Sequence, residues 1–112
     1  MIVDDNHVNR MLLKMILESV GYKNTIEARD GSEAIKKLKS EHVDLIFMDI
    51  QMPVMNGIEA TAYIRKEMNA TLPIIAITAY DHIDPIANGF NALVHKPYNA
   101  EKINSMIDKF LK

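Results

Sequence analysis

A chain of 112 residues with 48 % apolar and 25 % charged side chains has the composition of a folded globular protein, which predicts one packed domain over residues 1–112 and excludes disorder. The formal net charge of −2 argues against nucleic-acid binding, which calls for a basic patch. The absence of cysteine removes disulfides, thiolate zinc sites and thiol nucleophiles, and no apolar run approaches the ~18 residues of a membrane span.

In chain order, Met1-Ile2-Val3 is a short strand-like run that passes at once into Asp4 and Asp5, unlike a signal peptide. Val8, Met11, Leu12, Met15, Ile16 and Val20 recur at helical spacing and predict one apolar stripe, with Gly21 placed to stop the helix. Thr25-Ile26 predicts a second strand, and Ile35 and Leu38 a second helix opened near Asp30-Gly31-Ser32. Val43 to Met48 predicts the third strand. A third helix opens near Asn56-Gly57, with Ile58, Ala62 and Arg65 along one face. Pro73 to Ile77 and Ala92-Leu93-Val94 predict the last two strands. Ile103, Met106, Ile107 and Phe110 stripe a final helix, for which Asn99 is the expected N-cap.

Continuous apolar runs, as opposed to alternating ones, imply strands covered on both faces, hence a parallel sheet with helices on each side. In such doubly wound α/β sheets, ligands bind beyond the carboxyl ends of the strands. Asp4 and Asp5 follow the first strand there, Asp49 the third, Thr78 the fourth and Lys96 the fifth. Crowded carboxylates need compensating positive charge, and a small cluster of hard oxygen ligands suits Mg²⁺. An ammonium and a hydroxyl aimed at an anion are what phosphoryl transfer needs, and a carboxylate can itself be the nucleophile.

Ile2-Val3-Asp4-Asp5-Asn6, Met48-Asp49-Ile50-Gln51-Met52-Pro53-Val54-Met55-Asn56-Gly57, Ile77-Thr78-Ala79 and Lys96-Pro97-Tyr98 together resemble the receiver (response-regulator) family. The resemblance implies a flavodoxin-like five-stranded parallel sheet of order 2-1-3-4-5. It implies Asp49 as phosphoacceptor, and Mg²⁺ bound by Asp5, Asp49 and the backbone carbonyl of Gln51, with Asp4 acting largely through water. Thr78 and Lys96 would hold phosphoryl oxygens, and the Lys96–Pro97 bond would be cis. Asp5-Asn6-His7-Val8-Asn9-Arg10, with Gln51, resembles receivers of hybrid sensor histidine kinases. The implied phosphodonor is a histidine kinase or a histidine phosphotransfer domain. The implied setting is the cytoplasm, within a membrane-anchored hybrid kinase or apart from one, and the domain itself is expected to touch neither membrane nor nucleic acid. Gln51 and Tyr80 would flank the path of hydrolytic water, with the Tyr80 ring blocking it.

Two departures stand out. Thr78 and Lys96 lie closer together than in the family pattern, and Pro85 falls in the intervening segment, so the helix expected there is short or irregular. The position three before Lys96, an aromatic in many receivers, is Leu93. A pseudo-receiver that binds partners without being phosphorylated is the alternative reading. A haloacid-dehalogenase-type enzyme would need a second Asp where Gln51 stands. His7, His42, His82 and His95 fall on different elements and suggest no metal site, and the single glycines form no phosphate-cradling loop.

Overall fold

The computed structural model describes residues 1–52, 55–79 and 83–111. In order along the chain these form β1 (Ile2–Val3), α1 (His7–Ser19), β2 (Glu27–Ala28), α2 (Gly31–Leu38), β3 (Ile46–Asp49), α3 (Gly57–Lys66), β4 (Ile74–Thr78), β5 (Ala92–His95) and α4 (Ala100–Leu111). All strand pairs are parallel and the sheet order is β2-β1-β3-β4-β5. The chain therefore winds outward in both directions from β1, as the receiver resemblance implies.

Strand residues alternate between two covered faces because successive side chains point opposite ways. Val3, Ile46, Met48, Ile74 and Ala76 pack with Ala34 and Ile35 of α2 and Ala60 and Ile64 of α3. Ile2, Phe47, Ile75, Ile77 and Val94 pack with Leu13 and Leu17 of α1 and Ile103 and Ile107 of α4. Burial on both faces is why these strands read as unbroken apolar runs. No helix among the described residues is long and apolar enough to cross a membrane.

Each helix starts on a short polar side chain that accepts an otherwise orphaned backbone N–H. Asn6 accepts from Asn9 N, Asp30 from Glu33 N and Asn99 from Lys102 N. At α3, Asn56 and Glu59 form a reciprocal capping box. Gly21, at φ +102°, ends α1, where Tyr22 N–H reaches back to Leu17 O.

The structure corrects three sequence expectations. In α1 the buried side chains are Arg10, Leu13 and Leu17, while Val8, Met11, Leu12 and Met15 are 65, 46, 50 and 62 % exposed. The apolar residues wrap around more than one face of the helix, and the sheet takes the narrower of the possible stripes. The buried face of α3 is Gly57, Ala60, Thr61 and Ile64, where small residues let the helix lie close to the sheet. The strands β2 and β3 sit later than expected: β2 is Glu27–Ala28, the residues that pair with Ile2 and Val3 of β1, and β3 is Ile46–Asp49, the residues that pair with Ile74 to Ile77 of β4. Thr25-Ile26 has the β-propensity, but pairing decides.

Between β4 and β5 the described residues contain one turn and no regular helix. Phe90 N–H and Asn88 N–H return to Pro85 O, and the turn is capped by Asp84, which accepts from Ala87 N. Arg65 holds this segment from α3. It donates to Gly89 O at 2.9 Å, Leu72 O at 2.7 Å and the Asn91 side chain at 2.7 Å. The short, irregular connection expected from Pro85 is thus pinned by a guanidinium and by buried Phe90.

Candidate functional site

The sheet brings the sequence-predicted residues to one edge. Asp4 and Asp5 leave β1, Asp49 is the last residue of β3, Thr78 the last of β4, and Lys96 follows β5. Asp4, Asp49 and Thr78 are buried, and Asp5 is exposed. One carboxylate oxygen from each of Asp4, Asp5 and Asp49 lies within 4.8 Å of the others. Lys96 Nζ stands 3.7 Å from Asp49 Oδ2 and 4.0 Å from Asp4 Oδ2.

Backbone contacts place each of these groups. Asp4 N–H donates to Ala28 O at 3.1 Å, which ties the acidic turn to β2. Asn6, which caps α1, also donates its own N–H to Asp4 Oδ1 at 2.9 Å. Gln51 N–H donates to Asp49 Oδ1 at 3.3 Å. Lys96 N–H donates to Thr78 O at 2.9 Å, so the lysine is delivered to the site by the end of the β4–β5 ladder. The Lys96–Pro97 peptide is cis. Gly57 brings α3 against the end of β3: its N–H donates to Ile50 O at 2.9 Å, and a Cβ there would lie 2.3 Å from Asp49 O. Only glycine permits that approach.

The electrostatics follow from crowding. Burial and the neighbouring Asp4 charge push the Asp49 carboxyl up from 3.8 to about 6, against the pull of Lys96 and the Gln51 N–H, with Asp5 adding to the upward push. At neutral pH Asp49 is therefore mostly ionised and under-compensated. The Tyr98 phenol is also raised, first by burial and then by Asp4 and Asp49, which puts its ring within the field of the cluster. An excess of carboxylate over ammonium, presented as hard oxygen donors, fits a small divalent cation. Oxygens around one Mg²⁺ lie roughly 3–4 Å apart, and the three here fall within 4.8 Å of one another.

Arg10 and Gly57 went unassigned in the sequence reading. Arg10 is 9 % exposed; its Nη1 donates to Asp4 O at 2.8 Å and its Nε to Glu27 Oε1 at 3.2 Å. The available signal is an arginine three and seven residues before Leu13 and Leu17, in their helical register. The histidines among the described residues form no metal-binding group. His42 pairs with Asp44 at 2.7 Å on the exposed surface, and His7 approaches Arg10 at 3.4 Å. His82, Tyr80 with its expected water-blocking role, and Pro53-Val54 of the acceptor motif lie outside the described residues.

Comparison with known proteins agrees with this geometry. Residues 1–108 match the model of the response regulator receiver domain. The osmosensing histidine protein kinase SLN1 of Saccharomyces cerevisiae is 35 % identical over 98 % of this chain and 10 % of its own length. The autoinducer 1 sensor kinase/phosphatase LuxN of Vibrio campbellii is 36 % identical over 99 % of this chain and 13 % of its own. The chain thus spans about a tenth of the length of these curated relatives. Among solved structures, the receiver domain of sensor histidine kinase PA1611 from Pseudomonas aeruginosa superposes with a TM-score of 0.88 at 30 % identity, covering 98 % of this chain and 93 % of that one. That domain carries a magnesium ion coordinated in its active site cleft.

Proposed function

Because the chain belongs to the response regulator receiver family, a phosphoacceptor class of two-component signalling, we propose that residues 1–112 form one receiver domain whose phosphoacceptor is Asp49. The observation that carries this assignment is the buried Asp49 carboxylate, 3.7 Å from Lys96 Nζ and grouped with two further carboxylates. An Asp49 oxygen attacks the phosphorus of a phosphohistidine. The P–N bond breaks, the imidazole leaves and takes a proton from solvent, and an aspartyl-phosphate remains. Lys96 and the Thr78 hydroxyl are assigned to the phosphoryl oxygens, where fixed donors stabilise the charge of the transferring group.

Asp5, Asp49 and the Gln51 carbonyl are the proposed protein ligands of Mg²⁺, with Asp4 contributing through water. When bound, the ion neutralises the carboxylates and the incoming phosphoryl oxygens. The proposed donor is a histidine kinase or histidine phosphotransfer domain, and the proposed setting is the cytoplasmic part of a longer hybrid kinase, in keeping with the relatives' lengths. The exposed apolar stripe Val8, Met11, Leu12 and Met15 starts three residues after Asp5 and supports docking of a protein donor rather than a small molecule. The convergence of the acids with Lys96 counts against a non-phosphorylated interaction module.

Intact-mass measurement after treatment with acetyl phosphate and MgCl2 tests the assignment. The wild-type chain should gain one phosphoryl group, about 80 Da, as an acceptor carboxylate requires. Asp49→Ala should gain none; a phosphorylated Asp49→Ala chain rejects Asp49 as the acceptor.

A further inference from the structure

The three carboxylates are not held alike. Asp4 receives the Asn6 N–H and faces Lys96. Asp49 receives the Gln51 N–H and also faces Lys96. The Asp5 carboxylate has no hydrogen-bond or ion-pair partner among the described residues. What orients Asp5 is its backbone, and the peptide plane entering Asp5 contains the Asp4 carbonyl. That carbonyl is gripped by Arg10 Nη1 at 2.8 Å, in a buried contact.

Arg10 is itself fixed at its other edge. Its Nε donates to Glu27 on β2 at 3.2 Å, so one planar guanidinium bridges α1, the acidic turn and the edge strand. The fork geometry matters here, because an ammonium on a flexible stem cannot hold both acceptors in fixed directions. Glu27 also balances the Arg10 charge, with Lys14 3.9 Å away on its second oxygen. The arrangement thus offers the acidic turn direction more than net charge. The bond to Asp4 O adds to the α1–β2 ion pair a hold on the backbone of the acidic turn.

We infer that Arg10 is a positioning residue for the metal site, holding the Asp4–Asp5 peptide so that the Asp5 carboxylate faces Asp49. This rests on the metal assignment proposed above. Partners that orient ligands from outside the coordination sphere are typically worth about 10- to 100-fold in metal affinity, and the lower end applies to one backbone contact.

Charge and geometry predict opposite signs for Arg10→Met. If Arg10 acts by charge alone, deleting a cation near the cluster tightens Mg²⁺ binding. If it positions Asp5, binding weakens by about 10-fold. Calorimetric titration of the chain with MgCl2 reads the difference, with urea unfolding in EDTA recording stability separately. Raising MgCl2 to saturation should restore the rate of phosphorylation by acetyl phosphate in Arg10→Met, since Lys96 and Thr78 are untouched. Arg10→Lys keeps the charge and carries the test if Arg10→Met fails to fold: positioning requires weaker Mg²⁺ binding there too. An unchanged or tighter Mg²⁺ affinity in whichever variant folds overturns the inference, even if that variant is less stable. A wild-type chain that takes up no Mg²⁺ sinks the proposed metal site and this inference with it. A wild-type chain that binds Mg²⁺ beside an equally competent Arg10 variant sinks this inference alone.

Discussion

Replacing Asp49 by Asn should stabilise the metal-free chain, the reverse of the usual outcome for a buried, hydrogen-bonded residue. The folded state holds the Asp49 carboxyl at about 6 against an ordinary 3.8. Between those values the folded chain binds a proton that the unfolded chain has released, so stability falls as pH rises through the window. Above pH 6 the full penalty of keeping Asp49 buried and charged beside Asp4 and Asp5 is present; below 3.8 it is gone. A shift of that size is worth about 3 kcal/mol, at about 1.4 kcal/mol per unit. For a chain of this length that is roughly 10 °C in Tm. Urea unfolding in EDTA, followed by circular dichroism at pH 7.5 and again near pH 4, measures it. Asp49→Asn should exceed wild type at pH 7.5 and lose most of that advantage near pH 4. Equal stability at pH 7.5, or an advantage that persists undiminished at the lower pH, refutes the electrostatic argument.

Millimolar MgCl2 should raise the Tm of the wild-type chain by mass action and raise that of Asp5→Asn less, in parallel thermal melts. Leu13→Ala should lose about 2–5 kcal/mol in urea titrations because it empties a buried site, whereas Met15→Ala on the exposed side of α1 should stay within about 0.5 kcal/mol; comparable losses would restore the stripe expected from the sequence. Gly57→Ala should destabilise by about 1–3 kcal/mol, since its Cβ displaces the Asp49–Ile50 backbone, and should slow phosphorylation beyond what the stability loss explains. Arg65→Met leaves the carbonyls of Leu72 and Gly89 short of a donor and should cost about 1–3 kcal/mol, with amide hydrogen exchange rising first at residues 85–91.

The sheet and the acceptor edge were legible in the sequence because both rest on strong, short-range signals. Ile74 to Ile77 can only be a strand covered on two faces, and the residues that follow each strand fall at the carboxyl edge by topology alone. The starts of α2, α3 and α4 were readable for the same reason: Asp30, Asn56 and Asn99 satisfy donors that any helix leaves open. The faces of α1 and α3 were not readable from periodicity. In α1 apolar residues at 8, 11, 12, 13, 15, 16 and 17 are compatible with several stripes, and the sheet selected Leu13 and Leu17. In α3 three of the four buried residues, Gly57, Ala60 and Thr61, carry little hydrophobic signal, and Ile64 alone does not define a stripe. The roles of Gly57 and Arg10 depend on contacts across the fold, Gly57 with the β3 end and Arg10 with Asp4 O and β2, and no local pattern encodes those.

The shortened segment between β4 and β5 is one of the two departures from the family pattern, and the structure shows why it leaves the carboxyl edge of the sheet intact. β4 and β5 are paired from Ile75 with Ala92 through Thr78 with His95, and Lys96 N–H extends that ladder to Thr78 O. The position of Lys96 is therefore fixed by the sheet and not by whatever connects the two strands. At the opposite end of the ladder Asn91 accepts from Ile74 N–H at 2.9 Å and from Arg65 at 2.7 Å, which ties the end of the connection to α3. Local propensity fails around Pro85 and the carboxylates crowd at Asp49, but these are separate conflicts. The first is compensated by Arg65 and Phe90 within the fold. The second is offset only in part by Lys96, the cation that faces Asp4 and Asp49 among the described residues, and a fold retains such a conflict where its site has work for the charge.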